Sequence, residues 1–136
     1  MTAGVARRQE YRVEGLPEPV SHYTDAVRWG DLVFVSGCVA VDGHGNVVAP
    51  GDVAAQARLV HEHLGRALLA AGSDLAHVLK VTVYLTDIND RQAVNEVRQE
   101  FFGDARPAST LVEVSALVFP ELRVEIEAVA AVVDDS

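Results

Sequence analysis

The sequence predicts one α+β domain, a mixed sheet of about six strands with two helices packed on one face. Three observations carry that prediction. Short runs with alternating polarity recur along the chain, two helical stripes interrupt them, and no linker, internal repeat or low-complexity tract divides the 136 residues. The domain is therefore read as 1–136, with an N-terminal strand and loop over 1–20 and a core over 21–133.

Arg8 to Val13 is a short strand, ended by Gly15-Leu-Pro-Glu-Pro19. Tyr23–Arg28 and Leu32–Ser36 flank Trp29-Gly30-Asp31, a hairpin signal because glycine supplies the positive φ of a tight primed turn. Loops follow at Asp42–Asn46 and Pro50–Asp52, and Asp52 is placed to cap a helix. Val53, Ala57, Val60, Leu64, Ala67, Leu68 and Ala71 then form one apolar stripe, with Gln56, Arg58, Glu62 and Arg66 mostly outside it. Gly72-Ser73 closes that helix.

Val78–Thr86 alternates, placing Leu79, Val81, Val83 and Leu85 on one face. Asn89 and Gln92 have capping-box spacing ahead of a shorter helix with Ala93, Val94, Val97 and Phe101 on its apolar side. Two strands close the chain, about Thr110–Ala116 and Leu122–Val132. Two helices cover one face of such a sheet and no more. The other face is expected to carry Tyr84, Leu111, Glu113, Glu125, Glu127 and Val129, too apolar to stay open, so self-association is the simplest remedy.

Composition narrows the function. Asp+Glu number 20 against Lys+Arg 11, a formal net charge of -9. No cationic run extends beyond Arg7-Arg8, so a nucleic-acid partner is disfavoured. No apolar run approaches the roughly 20 residues that span a bilayer. The first ten residues lack the apolar segment of a secretory signal. One cysteine, Cys38, suits a reducing cytoplasm. A hydrophobic fraction of 49% suggests surface covered by other subunits.

The chemistry is concentrated near the C-terminus. Arg123, Glu125 and Glu127 fall on one side of the last strand, Val124, Ile126 and Ala128 on the other. A carboxylate in an apolar cleft can deliver water and a proton if burial or a like-charged neighbour lifts its pKa. The alternative is that both glutamates are solvated, or pair with Arg123 across an interface. Cys38 lacks an obvious partnering His or Asp and reads as a small apolar side chain at a strand end. His61 and His63 point to different sides of their helix, so no metal site is expected.

Several segments together resemble the Rid family, the YjgF-like reactive intermediate deaminases. They are Gly30–Gly37 (GDLVFVSG), Val81–Asp90 (VTVYLTDIND), Val94-Asn95, Phe101-Phe102, Arg106-Pro-Ala108 and Val124–Ala130 (VEIEAVA), over about Tyr23 to Val132. The resemblance implies a chorismate-mutase-like fold assembled as a homotrimer, with ligand clefts between subunits. It also implies hydrolysis of small enamines or imines, releasing ammonia, with no metal or organic cofactor.

Carried over residue by residue, Glu125 is the water-positioning glutamate, and Tyr23, Ser36 and Gly37 line the cleft. Where the family carries an arginine after Pro-Ala, this chain has Ser109. Cys38 replaces a usual glutamine, and the loop 117–122 is slightly longer. Leu111, Asn89 and Arg106 complete the candidate binding set with Cys38 and Ser109, although Arg106 precedes the proline. A neutral hydroxyl in place of a bidentate guanidinium leaves a substrate carboxylate short by about 3–5 kcal/mol. Common 2-imino acids are accordingly expected to be poor ligands. The competing expectation is a non-catalytic small-molecule-binding or regulatory trimer.

Overall fold

A computed structural model describes residues 7–133. Residues 1–6 and 134–136 lie outside the described residues. The strands are β1 (Arg8–Tyr11), β2 (Ala26–Trp29), β3 (Leu32–Val39), β4 (Val78–Leu85), β5 (Ala108–Glu113) and β6 (Val124–Ala131). Two helices, α1 (Val53–Ala70) and α2 (Arg91–Phe102), are accompanied by single 3₁₀ turns at Leu75–His77 and Ile88–Asp90. One sheet runs in the order β1-β2-β3-β6-β4-β5. Every pairing is antiparallel except β4 with β5, which α2 links as a parallel crossover. This is the expected α+β architecture.

Several local signals act as the residue types require. Gly30, at φ +57°, turns the β2–β3 hairpin. The Asp52 carboxylate accepts from Ala55 N at 3.0 Å and starts α1. At the other end, Ser73 N donates to Leu68 O at 2.8 Å and Gly72 N to Leu69 O at 3.3 Å, the paired bonds of a Schellman stop. Val60, Leu64, Ala67 and Leu68 of α1 and Val94 and Val97 of α2 are buried with Val81, Val83, Leu85, Val124, Ile126 and Ala130 of the sheet. Both helices therefore press on the same face. No described helix is long and apolar enough to cross a membrane.

Four expectations change. Gln56 is fully buried: Nε2 donates to Glu121 O at 3.0 Å and to Val48 O and Ala49 O at 3.3 Å, while Oε1 accepts from Arg123 N at 2.9 Å. One amide thus satisfies backbone groups from two loops, and no apolar stripe reveals that. Leu79 is 49% exposed instead of buried with Val81. A bulge between Val78 and Lys80 shifts the alternation by one residue there.

The capping box at Asn89 and Gln92 does not form. Asn89 sits in the 3₁₀ turn, its N–H bonded to Asp87 Oδ1 at 2.9 Å, and α2 starts at Arg91 after Asp90. Asp90 makes no side-chain cap either; it grips Arg123 through Nε at 3.1 Å and Nη2 at 2.8 Å. Finally, Leu111 and Glu113 belong to the helix side of the sheet. The parallel register sets Leu111 beside Val83 and Glu113 beside Leu85, Leu111 packs on the core, and Glu113 accepts from Ile88 N at 2.8 Å.

The helix-free face carries Phe34, Tyr84, Val112, Glu125, Glu127 and Val129. Phe34 remains 45% exposed and Val112 39%.

His61 gives a testable consequence. It is fully buried between α1 and α2, stacked on Phe101 at 5.2 Å and edge-on to Phe102 at 5.8 Å. Nδ1 lies 2.7 Å from Ala57 O and Nε2 has no partner, so the ring is neutral with its proton on Nδ1. Burial holds its pKa below the ordinary 6.5, and the Arg98 charge adds to that against the opposing Ala57 bond. The unfolded chain binds the proton more readily, so this contribution to stability is intact above pH 6.5 and declines as pH falls below it. Thermal melts between pH 7.5 and 5 are expected to show a smaller acid-side loss of Tm for His61→Leu than for the wild type. Identical pH slopes would refute the assignment.

Candidate active site

The site is built by an irregularity in the sheet. Val35 pairs with Ala128 and Cys38 with Ile126, so Ser36 and Gly37 both stand against Glu127. This β-bulge changes which side of β3 faces the helices, keeping Val33, Val35 and Cys38 all inward. Val39 then lies opposite Glu125. A Cβ on Gly37 would overlap Oε2 of Glu125 and stand 2.8 Å from its carboxyl carbon. Only glycine leaves the carboxylate where it is.

Glu125 is half-buried and lines a cleft of about 350 Å³ with Tyr23, Ser36, Gly37, Val39 and Val118, closed at one side by Val20 and Ser21. Burial and, secondarily, the like charge of Glu127 raise its pKa above the usual carboxylate value of 4.5. Glu127 is more exposed and accepts from the Tyr84 hydroxyl at 3.2 Å. The two carboxylates are therefore inequivalent. Glu125 is the one whose protonation is shifted toward neutral pH.

The wall around Glu125 is fixed by backbone bonds. Ser36 donates its hydroxyl to Thr24 O at 2.6 Å and its N–H to Asp25 O at 2.9 Å, leaving lone pairs on the hydroxyl for a ligand donor. Asp25 is buried, accepts from Val13 N at 2.7 Å and pairs with Arg12, which anchors the segment carrying Tyr23. Tyr23 itself is exposed, its oxygen accepting weakly from Val20 N at 3.4 Å.

Tyr23, Ser36, Gly37 and Glu125 thus converge. Cys38 borders Tyr23, Ser36 and Gly37 in a second, narrower recess, and the other candidates do not join them within one chain. Cys38 is turned inward, its Sγ 3.5 Å from Ser36 O, in a narrow recess with Asp25 and His63. Burial, then the charges of Asp25 and Glu125, push its thiol up to about 12, so it is no nucleophile at neutral pH. Ser109 and Leu111 lie on β5 with Val81 and Val83, the sheet side opposite Glu125. Asn89 sits before α2, and Arg106 lines a different concavity against α2. Arg123 is committed to Asp90 and does not neutralise Glu125. His61 and His63 bond separately to Ala57 O and Val41 O. Val39 and Val118, absent from the sequence reading of the site, form its apolar wall. Val39 is findable only from the β3–β6 register, whereas Val118 lies in the loop already noted as long.

Comparison with known proteins identifies the family. The model of the family described as "Endoribonuclease L-PSP" matches residues 14–132. A 3-aminoacrylate deaminase RutC of Acinetobacter baylyi is 40% identical over 88% of this chain and 94% of its own. A 2-iminobutanoate/2-iminopropanoate deaminase of Rattus norvegicus is 39% identical over 84% of this chain and 82% of its own. The crystal structure of YyfA of Yersinia pestis, a Rid family protein, superposes with a TM-score of 0.87 at 29% identity, covering 92% of this chain and 99% of that one. The chain belongs to the Endoribonuclease L-PSP family, the same Rid (YjgF-like) family that its hairpin, Pro-Ala turn and final Glu-Ile-Glu strand resemble.

Proposed function

We propose that this protein is a hydrolytic deaminase of a small reactive enamine or imine, working without a cofactor in a cleft that a neighbouring copy completes in a homotrimer. The observation that carries the reading is the half-buried Glu125 carboxylate, raised in pKa and set against Gly37 in the cleft. Relatives named as deaminases of an aminoacrylate and of iminoalkanoates support the reaction class. The exposed apolar sheet face around Phe34 and Val112 supports self-association, as does the position of Ser109 and Leu111, which can meet a Glu125 only from another copy.

In the proposed reaction the Glu125 carboxylate takes a proton from water as the water oxygen bonds to the C=N carbon. The carboxylic acid returns that proton to nitrogen. The carboxylate then takes the O–H proton of the resulting carbinolamine and passes it to the nitrogen as the C–N bond breaks, so that ammonia leaves and the carbonyl forms. Tyr23 and Ser36 contact the ligand from one side and Ser109 of the neighbouring copy from the other. Since Ser109 stands where the family carries an arginine, the preferred substrate is not the common 2-imino acid. A trimer that binds a small molecule without turning it over is the second reading, favoured by that same substitution. A nuclease role, which the family description names, is disfavoured by the net charge of -9.

Ammonia release from a panel of neutral and carboxylated enamines is the primary test. Neutral members are expected to turn over faster than 2-iminopropionate, and Glu125→Gln to lower the catalysed rate by about 100-fold or more. Equal rates in wild type and variant would leave the binding trimer standing. The carboxylate form is the active one, so the rate is expected to fall as pH drops through the raised Glu125 pKa. Glu127→Gln removes the like charge and is expected to move that acid limb to lower pH; an upward move would contradict the assigned coupling. Gly37→Ala displaces the carboxylate and is expected to cost on the order of 100-fold in kcat/KM, read against a melting curve that checks folding.

A further inference from the structure

A cavity apart from Glu125 lies beside α2. It occupies about 380 Å³ between the C-terminal half of α2 and the turn into β5, and a second concavity of about 330 Å³ continues it along α2 toward β5. Asn95 and Arg98 line both, so the two form one groove, with Arg91 at one end and Arg106 at the other. Buried Phe102 and half-buried Leu111 contribute apolar floor. Arg91, Asn95 and Arg98 sit at i, i+4 and i+7, one stripe on the helix surface, with the two arginines about 10 Å apart along the axis.

What sets this groove apart is the state of its cations. Arg8, Arg12, Arg58 and Arg123 are in ion pairs. Arg28, Arg66 and Lys80 are hydrogen-bonded to Gly30 O, Glu14 O and Thr110 Oγ1. Among the described residues Arg7, just before β1, and Arg91, Arg98 and Arg106 make neither kind of contact, and the last three share this groove, although acids outnumber bases 20 to 11 in the chain. Glu100 is drawn to Arg58 at 2.9 Å, and neither Glu96 nor Asp104 lines the groove. Arg98 is half-buried, and burial weakens its hold on the proton. A guanidinium keeps its charge there and lacks full hydration, which favours an oxyanion partner.

We infer that the α2–β5 groove is a binding site for a small, elongated anion carrying two or more phosphate or carboxylate groups. Arg98 grips one group at the centre, Arg91 and Arg106 engage groups toward either end, and Asn95 supplies its amide. Within one chain this site lies apart from Glu125, and although the proposed trimer would bring Leu111 toward a neighbour's cleft, anion binding here does not require turnover at Glu125.

Titration calorimetry of the full chain at low ionic strength tests it, with inorganic pyrophosphate as the phosphate probe and citrate as the carboxylate probe. Saturable binding of at least one probe is expected. Arg98→Gln is expected to weaken it about tenfold or more, and exposed Arg91→Gln and Arg106→Gln by several-fold. Arg58→Gln and Glu125→Gln are expected to leave it unchanged. Arg98→Lys guards against misfolding of the half-buried variant and is expected to keep part of the affinity. No saturable heat with either probe would overturn the inference. So would equal affinity in wild type and all three groove variants, or binding of a single-stranded RNA oligomer alone.

Discussion

The site depends on a close approach between two backbone-dictated positions, Gly37 in β3 and Glu125 in β6. Antiparallel register places Val39 against Glu125, and the bulge at Ser36-Gly37 supplies the extra residue that bends β3 beside it. Because position 37 has no side chain, the glutamate can fold down against the sheet. That contact removes water from one side of the carboxylate and sets its distance from Glu127, and both effects raise its pKa. A regular strand at the same place would leave an ordinary surface acid.

The sheet can hold such a feature because its two faces are treated differently. Helices α1 and α2 bury the central strands of one face, with Leu64, Leu68, Val83, Leu85 and Ile126 at 0 or 1% exposure. Gln56 then locks the loops at Val48, Ala49, Glu121 and Arg123 to α1, which fixes where β6 begins. Asp90 completes the clasp by holding the Arg123 side chain away from the carboxylates two and four residues further on. The opposite face keeps Phe34, Val112, Tyr84, Glu125 and Glu127 together, a polar patch inside an apolar border. Such a border can exclude water from an acid only when something covers it.

Local signals in the sequence were sufficient wherever a single residue decides the geometry. Asp52 at the start of α1, Gly72-Ser73 at its end and Gly30 in the hairpin are cases of this kind. Features set by strand register were not legible. The residue spacing of β5 is the same whether it pairs parallel or antiparallel, and only pairing with β4 sends Ser109, Leu111 and Glu113 to the helix side. Leu79 misleads for a related reason, since a bulge is invisible to alternation. Gln56 looked like an ordinary surface residue, and both it and Asp90 proved to have a partner more than 30 positions away. In the site, Glu125, Tyr23 and the Ser36-Gly37 pair were readable because their segments lie in one recognisable order. Val39 joined them only through the β3–β6 pairing.

The placement of Ser109 carries a further consequence. A residue on the helix side of β5 is separated from Glu125 by the thickness of the sheet, so no side-chain rearrangement within one chain unites them. Any pocket using both must therefore be made by two copies, and in the proposed assembly a change at 109 acts on the neighbour's cleft. The same edge of the molecule carries Arg91, Arg98 and Arg106 on the adjoining helix and turn, cations that an acid-rich chain has not paired internally. Positive charge has not been removed from this side of the fold; it is absent from position 109 and concentrated along α2. Under the proposed reading, the carboxylate that activates water and the arginines that hold an anion therefore stand on opposite sides of the sheet within one chain.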